Sequence, residues 1–426
     1  MISKKKEVAF IYNGLPNKYY GGSDLYAFSL VKSLSKSGLK VTCIPTKVFE
    51  YSEKKIFTDL KNQNVKYISN KKYYNNKNKK ILKGFKKYLN EINYLFLSFN
   101  KIYNIKNLSN TINRILNDNK FDLLIVFDND NIVAAESFKY KKIAIIGDPI
   151  NLVNISRVRD SIKFSRVKYL IILLYYKLYY VGYLSWLKRS LNNYDYNFTL
   201  SFYENKIYNS MNIKNCSHLH AIVDDLYIDN ENINKNELPL SKTVVTILGD
   251  LGVNFNSIKI INKYLIPFLE KNCTEREIEI RIVGNIPKNI PTEINSILKN
   301  KFIKLTGFVK DIEDELQISD ILFYAANHPI GVRTKIILAA SFRCCIVTHS
   351  SSRNGIPELV DRENCYSSND YSYLCDKILN LHQDRDSLLY YQNKARKLYD
   401  EFYSPRNSSK FIKETIIPLL EYGKNE

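Results

Sequence analysis

Residues Gly331-Val332-Arg333-Thr334-Lys335 combine a turn, a hydroxyl and two cations directly ahead of an apolar run. A helix starting there offers free backbone N–H groups and its positive dipole end beside Arg333 and Lys335. Proteins hold a phosphate or diphosphate in this way. The alternative is an ordinary βαβ helix with a solvated basic turn. Acidic residues supply a second chemistry. Asp128 and Asp130 follow the apolar run 123–127, and Asp148 follows 143–146. A carboxylate at the end of a parallel strand can act as a general base, orient an acceptor or stabilise a developing positive charge. Asp128-Asn129-Asp130 is formally a D-x-D metal motif, but its simpler role is a turn with a helix cap, so no metal is expected. Gly21-Gly22 forms a loop able to bring backbone close to a ligand. His328, just before Pro329, could contact a ligand or only end its strand, and Gly355 could bound a pocket.

The surrounding pattern must position these groups. An apolar run at 8–13 reads as a buried parallel strand. The loop with Gly21-Gly22 leads into a helix capped by Ser23 or Asp24 and ended by Gly38, and a strand follows at 41–45. This start is Rossmann-like but lacks GxGxxG, which disfavours a dinucleotide cofactor. Residues 70–120 are rich in Lys, Asn and Tyr with apolar residues at helical spacing, and predict variable helices. Further strands are expected at 123–127, 143–146, 198–202 and 220–223. The polar stretch 230–242 reads as a linker. Strands then recur at 243–249, 278–283, 303–305, 321–325 and 345–348 with helices between them. Both halves therefore read as doubly wound α/β domains.

At 426 residues the chain is too long for one ordinary core. Its net charge of +20 implies an anionic partner, for which nucleic acid, acidic lipid and acidic polymer all qualify. Seven scattered cysteines form no CxxC pair, so a zinc site is disfavoured and a reducing cytosol is expected. The run 169–187 is the most apolar, yet it contains six Tyr, one Trp and Lys177. That composition suits a bilayer interface or a packed internal helix better than a membrane span.

Several segments together resemble the GT-B glycosyltransferases, close to family 4. The opening, Gly21-Gly22-Ser23-Asp24 through Gly38-Leu39-Lys40-Val41, is similar to its "G-G-x-E … G-H-x-V" pattern. Gly249 to Asn256, Arg281-Ile282-Val283-Gly284, Thr306-Gly307-Phe308-Val309 and Ser319-Asp320-Ile321 resemble its later blocks in order. The turn 331–335, the strand 345–348 and Gly355-Ile356 complete the set. The resemblance implies two Rossmann-like doubly wound domains facing a cleft. Residues 1–235 would bind the acceptor, with helical inserts at about 70–120 and 150–195. Residues 236–405 would bind the nucleotide sugar, and 406–426 would form a closing helix able to pack back on the first domain.

It further implies a nucleotide-diphosphate-sugar co-substrate with no other cofactor. Gly331, Arg333, Thr334, Lys335, Gly21 and Gly22 would hold the diphosphate. Gly249, Gly284, Val309, His328 and Gly355 would line the donor pocket. Asp148, with Asp128 and Asp130 as alternates, would serve the acceptor side. Two departures stand out. Ile330 and Leu338 occupy the positions of the family's paired glutamates, and Arg343 replaces its helix-end glycine. The expected activity is metal-independent, retaining hexosyl transfer from a UDP- or GDP-sugar to a surface polysaccharide or lipid-linked oligosaccharide. It is placed in the cytoplasm, peripheral on the inner face of a membrane. The alternatives are an inactive GT-B scaffold subunit and a basic nucleic-acid-binding protein. No nucleic-acid motif supports the second, so nucleic acid is not an expected partner.

Overall fold

A computed structural model describes residues 5–19, 21–46, 53–68, 93–148, 182, 184–227, 242–249, 255–287, 290–309, 311–327 and 330–421. The expected helices at 70–92 and most of the apolar run 169–187 lie outside these residues. The described chain forms two compact units, 1–219 with 408–426, and 220–407.

The first unit is built on a seven-stranded parallel sheet. Its strands are β1 (Glu7–Tyr12), β2 (Lys40–Pro45), β3 (Lys66–Tyr67), β4 (Leu123–Phe127), β5 (Lys142–Ile146), β6 (Tyr196–Thr199) and β7 (Cys216–His218), in the order β3-β2-β1-β4-β5-β6-β7. Every residue of β4 and β5 is buried, which explains their near-continuous apolar composition, since helices cover both faces of a parallel sheet. The Gly22–Lys36 helix buries Leu25, Tyr26, Phe28, Leu30, Val31 and Leu34. Its N-cap is Gly21, with no side-chain cap, so neither Ser23 nor Asp24 has the capping role expected for it. Both already lie inside the first turn, and the Tyr12 hydroxyl donates instead to Asp24 Oδ1 at 2.8 Å. The closing helices belong to this unit. Phe411 packs edge-to-face on Phe198 at 5.0 Å, and Lys141 Nζ donates to the Leu419 carbonyl at 2.5 Å.

The second unit repeats the plan. Strands β8 (Thr243–Leu248), β9 (Ile278–Val283), β10 (Ile303–Gly307), β11 (Ile321–Tyr324), β12 (Cys345–His349) and β13 (Tyr366–Ser368) are all parallel, in the order β10-β9-β8-β11-β12-β13. In both units the first strand lies between the second and the fourth. The strand order therefore reverses at β1/β4 and at β8/β11, and loops leaving the carboxyl ends there diverge to leave a crevice.

The expected strand at 220–223 is absent, and the last strand of the first unit is instead Cys216–His218. Residues 220–227 find their partners in the final turns of the second unit. The Val223 amide donates to the Tyr403 carbonyl at 3.0 Å, and the Tyr399 hydroxyl donates to the Val223 carbonyl at 2.9 Å. Glu358 accepts from His220 Nε2 at 2.8 Å and from the Tyr403 hydroxyl. Burial pushes the Glu358 carboxyl up, but these bonds outweigh it and hold the group below its usual range.

Among the described residues no helix is long and apolar enough to cross a membrane. Phe323 sits in the middle of β11 at 1% exposure, within the main core of the second unit. Phe323→Ala is expected to cost about 3–5 kcal/mol, read as a lower urea midpoint at an unchanged slope for that unit.

Candidate functional site

The basic turn stands at the reversal point of the second sheet. It follows β11 and opens the Thr334–Ser341 helix, whose N-cap is Arg333 with no side-chain cap. The Ile336 amide turns back onto the Arg333 carbonyl at 2.8 Å, and the positive dipole end of the helix lies beside the Arg333 and Lys335 cations. The Arg333 guanidinium lies over the Tyr324 ring, 5.9 Å from its centroid, and this holds the fork in place.

The loop that delivers the turn is pinned from β12. Thr348 Oγ1 donates to the Tyr324 carbonyl at 3.1 Å and pairs with Ser352 Oγ at 2.7 Å. The Tyr371 hydroxyl donates to the Ala325 carbonyl at 3.0 Å. Beneath them the Ser351 amide donates to His349 Nδ1 at 3.1 Å, which leaves the ring proton on Nε2. Burial lowers the tendency of His349 to protonate, so it serves as a neutral helix cap for Ser350–Asn354.

Gly331 turns with φ 80°, and Gly355 packs directly on it. A methyl added to Gly355 would collide with the Gly331 carbonyl oxygen and approach Gly331 C and Val332 Cα at 3.1 Å each. The loop after β12 is thus a backbone floor beneath the cationic turn. At the neighbouring strand ends, the Gly249 amide donates to the Val283 carbonyl and the Gly284 amide to the Gly307 carbonyl, both at 2.9 Å. Val309 follows β10. His328 lies outside the described residues.

In the first unit the reversal point gathers Asn13 after β1 and Asp128 after β4. Asn13 Nδ2 donates to Asp128 Oδ2. Asp128 adopts φ 86°, a costly conformation for a residue with a side chain, and such strain collects at functional sites. Gly147 leaves room for it, because a Cβ there would stand 2.5 Å from Asp128 Oδ1. Asp130 lies in the first turn of the Asn129–Ala134 helix. Asp148 is exposed, and Asn129 Nδ2 holds its backbone carbonyl at 3.2 Å. Among the described residues no three His, Cys, Asp or Glu side chains converge to hold a metal ion.

The sequence offers Asp24 only as a helix cap, and gives Tyr12 and Asn13 no role in the site. Burial, moderated by the Tyr12 hydroxyl and reinforced by the Asp128 charge, pushes Asp24 up to about 6. Asp24, with its raised proton affinity, and Asp128 are thus close enough to interact through their charges.

Residues 242–384 match the family model described as glycosyl transferases group 1. A glycosyltransferase from Rickettsia africae superposes with a TM-score of 0.66 at 14% identity, covering 98% of this chain and 99% of that one. Anabaena HepE, in complex with UDP, gives 0.65 at 13%, covering 97% and 100%. S. aureus TarM, in complex with UDP, gives 0.64 at 11%, covering 98% and 100%. The fold is GT-B. No curated protein sequence matches the chain.

Within this GT-B chain, the two positions that depart from the family's paired glutamates are packed apolar sites. Ile330 is 8% exposed and Leu338 7%. The Arg343 that replaces a glycine takes φ 59°, so the backbone bend is kept at the cost of strain.

Two outcomes follow from this geometry. Gly355→Ala should displace the 331–333 backbone and lower the unfolding temperature of the second unit while the sheet persists, as monitored by thermal unfolding beside circular dichroism. The second concerns Asp24, whose folded-state value of about 6 exceeds the ordinary 3.8. Across that window the folded chain keeps a proton the unfolded chain has released, so stability falls as pH rises and the loss is complete above it. Asp24→Asn should remove this pH dependence. It should also raise stability at neutral pH by at most about 3 kcal/mol, less to the extent that water reaches the carboxylate. Urea unfolding on both sides of the window measures it.

Proposed function

We propose that the chain transfers a sugar from a nucleotide-diphosphate sugar to a surface-polysaccharide or lipid-linked oligosaccharide acceptor. The observation that carries this reading is the cationic helix start at the reversal point of the second sheet. Departure of a nucleoside diphosphate develops negative charge on its terminal phosphate. Preorganised N–H dipoles, the Arg333 fork and Lys335 would stabilise that charge as it forms, without waiting for solvent to reorganise. The reaction is read as metal-independent and retaining, with a hexose donor.

A uridine donor fits the relatives best. HepE has been crystallised with UDP and with UDP-glucose, and TarM with UDP. Asp128, strained and held by Asn13, is assigned to the acceptor, with Asp148 and Asp130 as alternates. Asp24 would tune its charge. The net charge of +20 suits a protein working peripherally on the anionic inner face of a membrane.

A second reading, a GT-B subunit that no longer catalyses, rests on Ile330 and Leu338. Apolar residues there remove two carboxylates, the second of which the resemblance places on the nucleotide ribose.

A thermal-shift panel of UDP, GDP, ADP and CMP on wild type and Arg333→Ala separates the two. A ligand at a hundred times its dissociation constant stabilises by about 2.7 kcal/mol. Selective stabilisation by one diphosphate, lost in the variant, supports the enzyme. No stabilisation by any nucleotide moves the assignment to the scaffold.

A further inference from the structure

Outside β13, the edge strand of the second sheet, lies an open cavity of about 350 Å³ lined by Arg362, Tyr366, Tyr373, Lys377 and Tyr391. None of these residues belongs to the 331–335 turn or its supports. Their arrangement is specific. The Arg362 guanidinium lies 5.9 Å from the Tyr373 ring centroid and Lys377 Nζ lies 5.1 Å from it, so one ring carries both cations. Arg362 Nε donates to the Tyr373 hydroxyl at 3.3 Å, which leaves that hydroxyl's own proton to donate onward. Tyr391, ring to ring with Tyr366 at 4.5 Å, donates its hydroxyl to the Arg362 carbonyl at 3.1 Å. Arg362 also holds φ 63°, a strained backbone for arginine.

Two carboxylates approach these cations. Asp361 stands 3.6 Å from Arg362 Nε and Asp376 3.4 Å from Lys377 Nζ. Both contacts are single-point, and each has one partner at least half exposed to solvent, so each is worth little. Each carboxylate also has another duty, Asp361 on the Ser367 amide at 2.8 Å and Asp376 on Asn380 Nδ2 at 3.2 Å. The terminal donors of both cations therefore remain available to a ligand.

Close to the lining residues in sequence are large apolar groups exposed to solvent. Val360, Leu389 and Tyr390 are 37%, 55% and 49% exposed, and the Tyr390 ring meets Tyr391 at 5.3 Å. A third cation, Lys394, lies 5.2 Å from the Tyr390 ring centroid. Stacked cations and tyrosine hydroxyls with exposed apolar groups nearby have the chemistry of a bilayer interface, where phosphate lies above acyl chain.

We propose that this cavity binds the phosphodiester head group of an anionic phospholipid, with Leu389, Tyr390 and Val360 entering the membrane surface. The site gives the membrane association read from net charge a definite place, and it stands or falls independently of nucleotide binding.

The test is co-sedimentation of the full chain with phosphatidylcholine vesicles, with and without phosphatidylglycerol. Wild type is compared with the Arg362→Ala/Lys377→Ala double variant and with Leu389→Ser, whose exposed position leaves the fold intact. Two cations near an anionic surface are worth about a thirty-fold change in partitioning. The double variant should lose about that factor on phosphatidylglycerol vesicles, and Leu389→Ser should bind more weakly, while both keep the wild-type unfolding temperature. Unchanged binding in both variants would overturn the proposal, as would equal binding of wild type to the uncharged vesicles. Glycerol phosphate that protects wild type in thermal shift, with no vesicle binding, would overturn the lipid source and reassign the pocket to a soluble phosphate ester.

Discussion

The backbone of Gly355 rests on the carbonyl of Gly331 so closely that no side chain fits between them. Everything proposed for the donor site depends on that contact. It joins the loop leaving β12 to the loop leaving β11, and so fixes the direction in which the Thr334–Ser341 helix points its first N–H groups. Thr348, Ser352 and Tyr371 reinforce the junction through hydrogen bonds to carbonyls and hydroxyls. Three residues beyond Gly355, Glu358 binds His220 and Tyr403, so the same short segment also anchors the chain entering and leaving the second unit. A rigid floor of this kind suits a site whose task is to meet developing charge with dipoles already in place.

The two units solve one problem twice. Both use the same strand order, and both place their distinctive residues where that order reverses. In the second unit the residues are cations on a helix start. In the first they are carboxylates, with Asp128 strained and Asp24 carrying a raised proton affinity. A shared architecture thus carries opposite charge at equivalent places. The replacement of two expected glutamates by buried Ile330 and Leu338 fits this division, since it removes two acids from the neighbourhood of the 331–335 turn.

Much of this was legible in the sequence because the relevant signals are local. Five-residue apolar runs such as Leu123–Phe127 have the length and composition of buried parallel strands, and the two cations of the GVRTK turn flank Thr334 in the sequence. What stayed hidden depends on partners distant in sequence. Asp24 looks like a helix cap until Tyr12 is seen to claim it. Asn13 is an unremarkable loop residue until Asp128, 115 positions later, arrives beside it. Residues 220–223 have the composition of a strand, yet hydrogen-bond to Tyr403 and Tyr399 instead of extending the sheet. Arg362 and Lys377 read as scattered surface cations until Tyr373 brings them onto one ring.

The central claim is that the 331–335 turn recognises a diphosphate. Calorimetric titration of the wild-type chain with a nucleoside, its monophosphate and its diphosphate, in the uridine and guanosine series, tests this most directly. The account predicts that affinity in one series rises with each phosphate and that the last increment shrinks as salt is added. A nucleoside that binds as tightly as its diphosphate would contradict it.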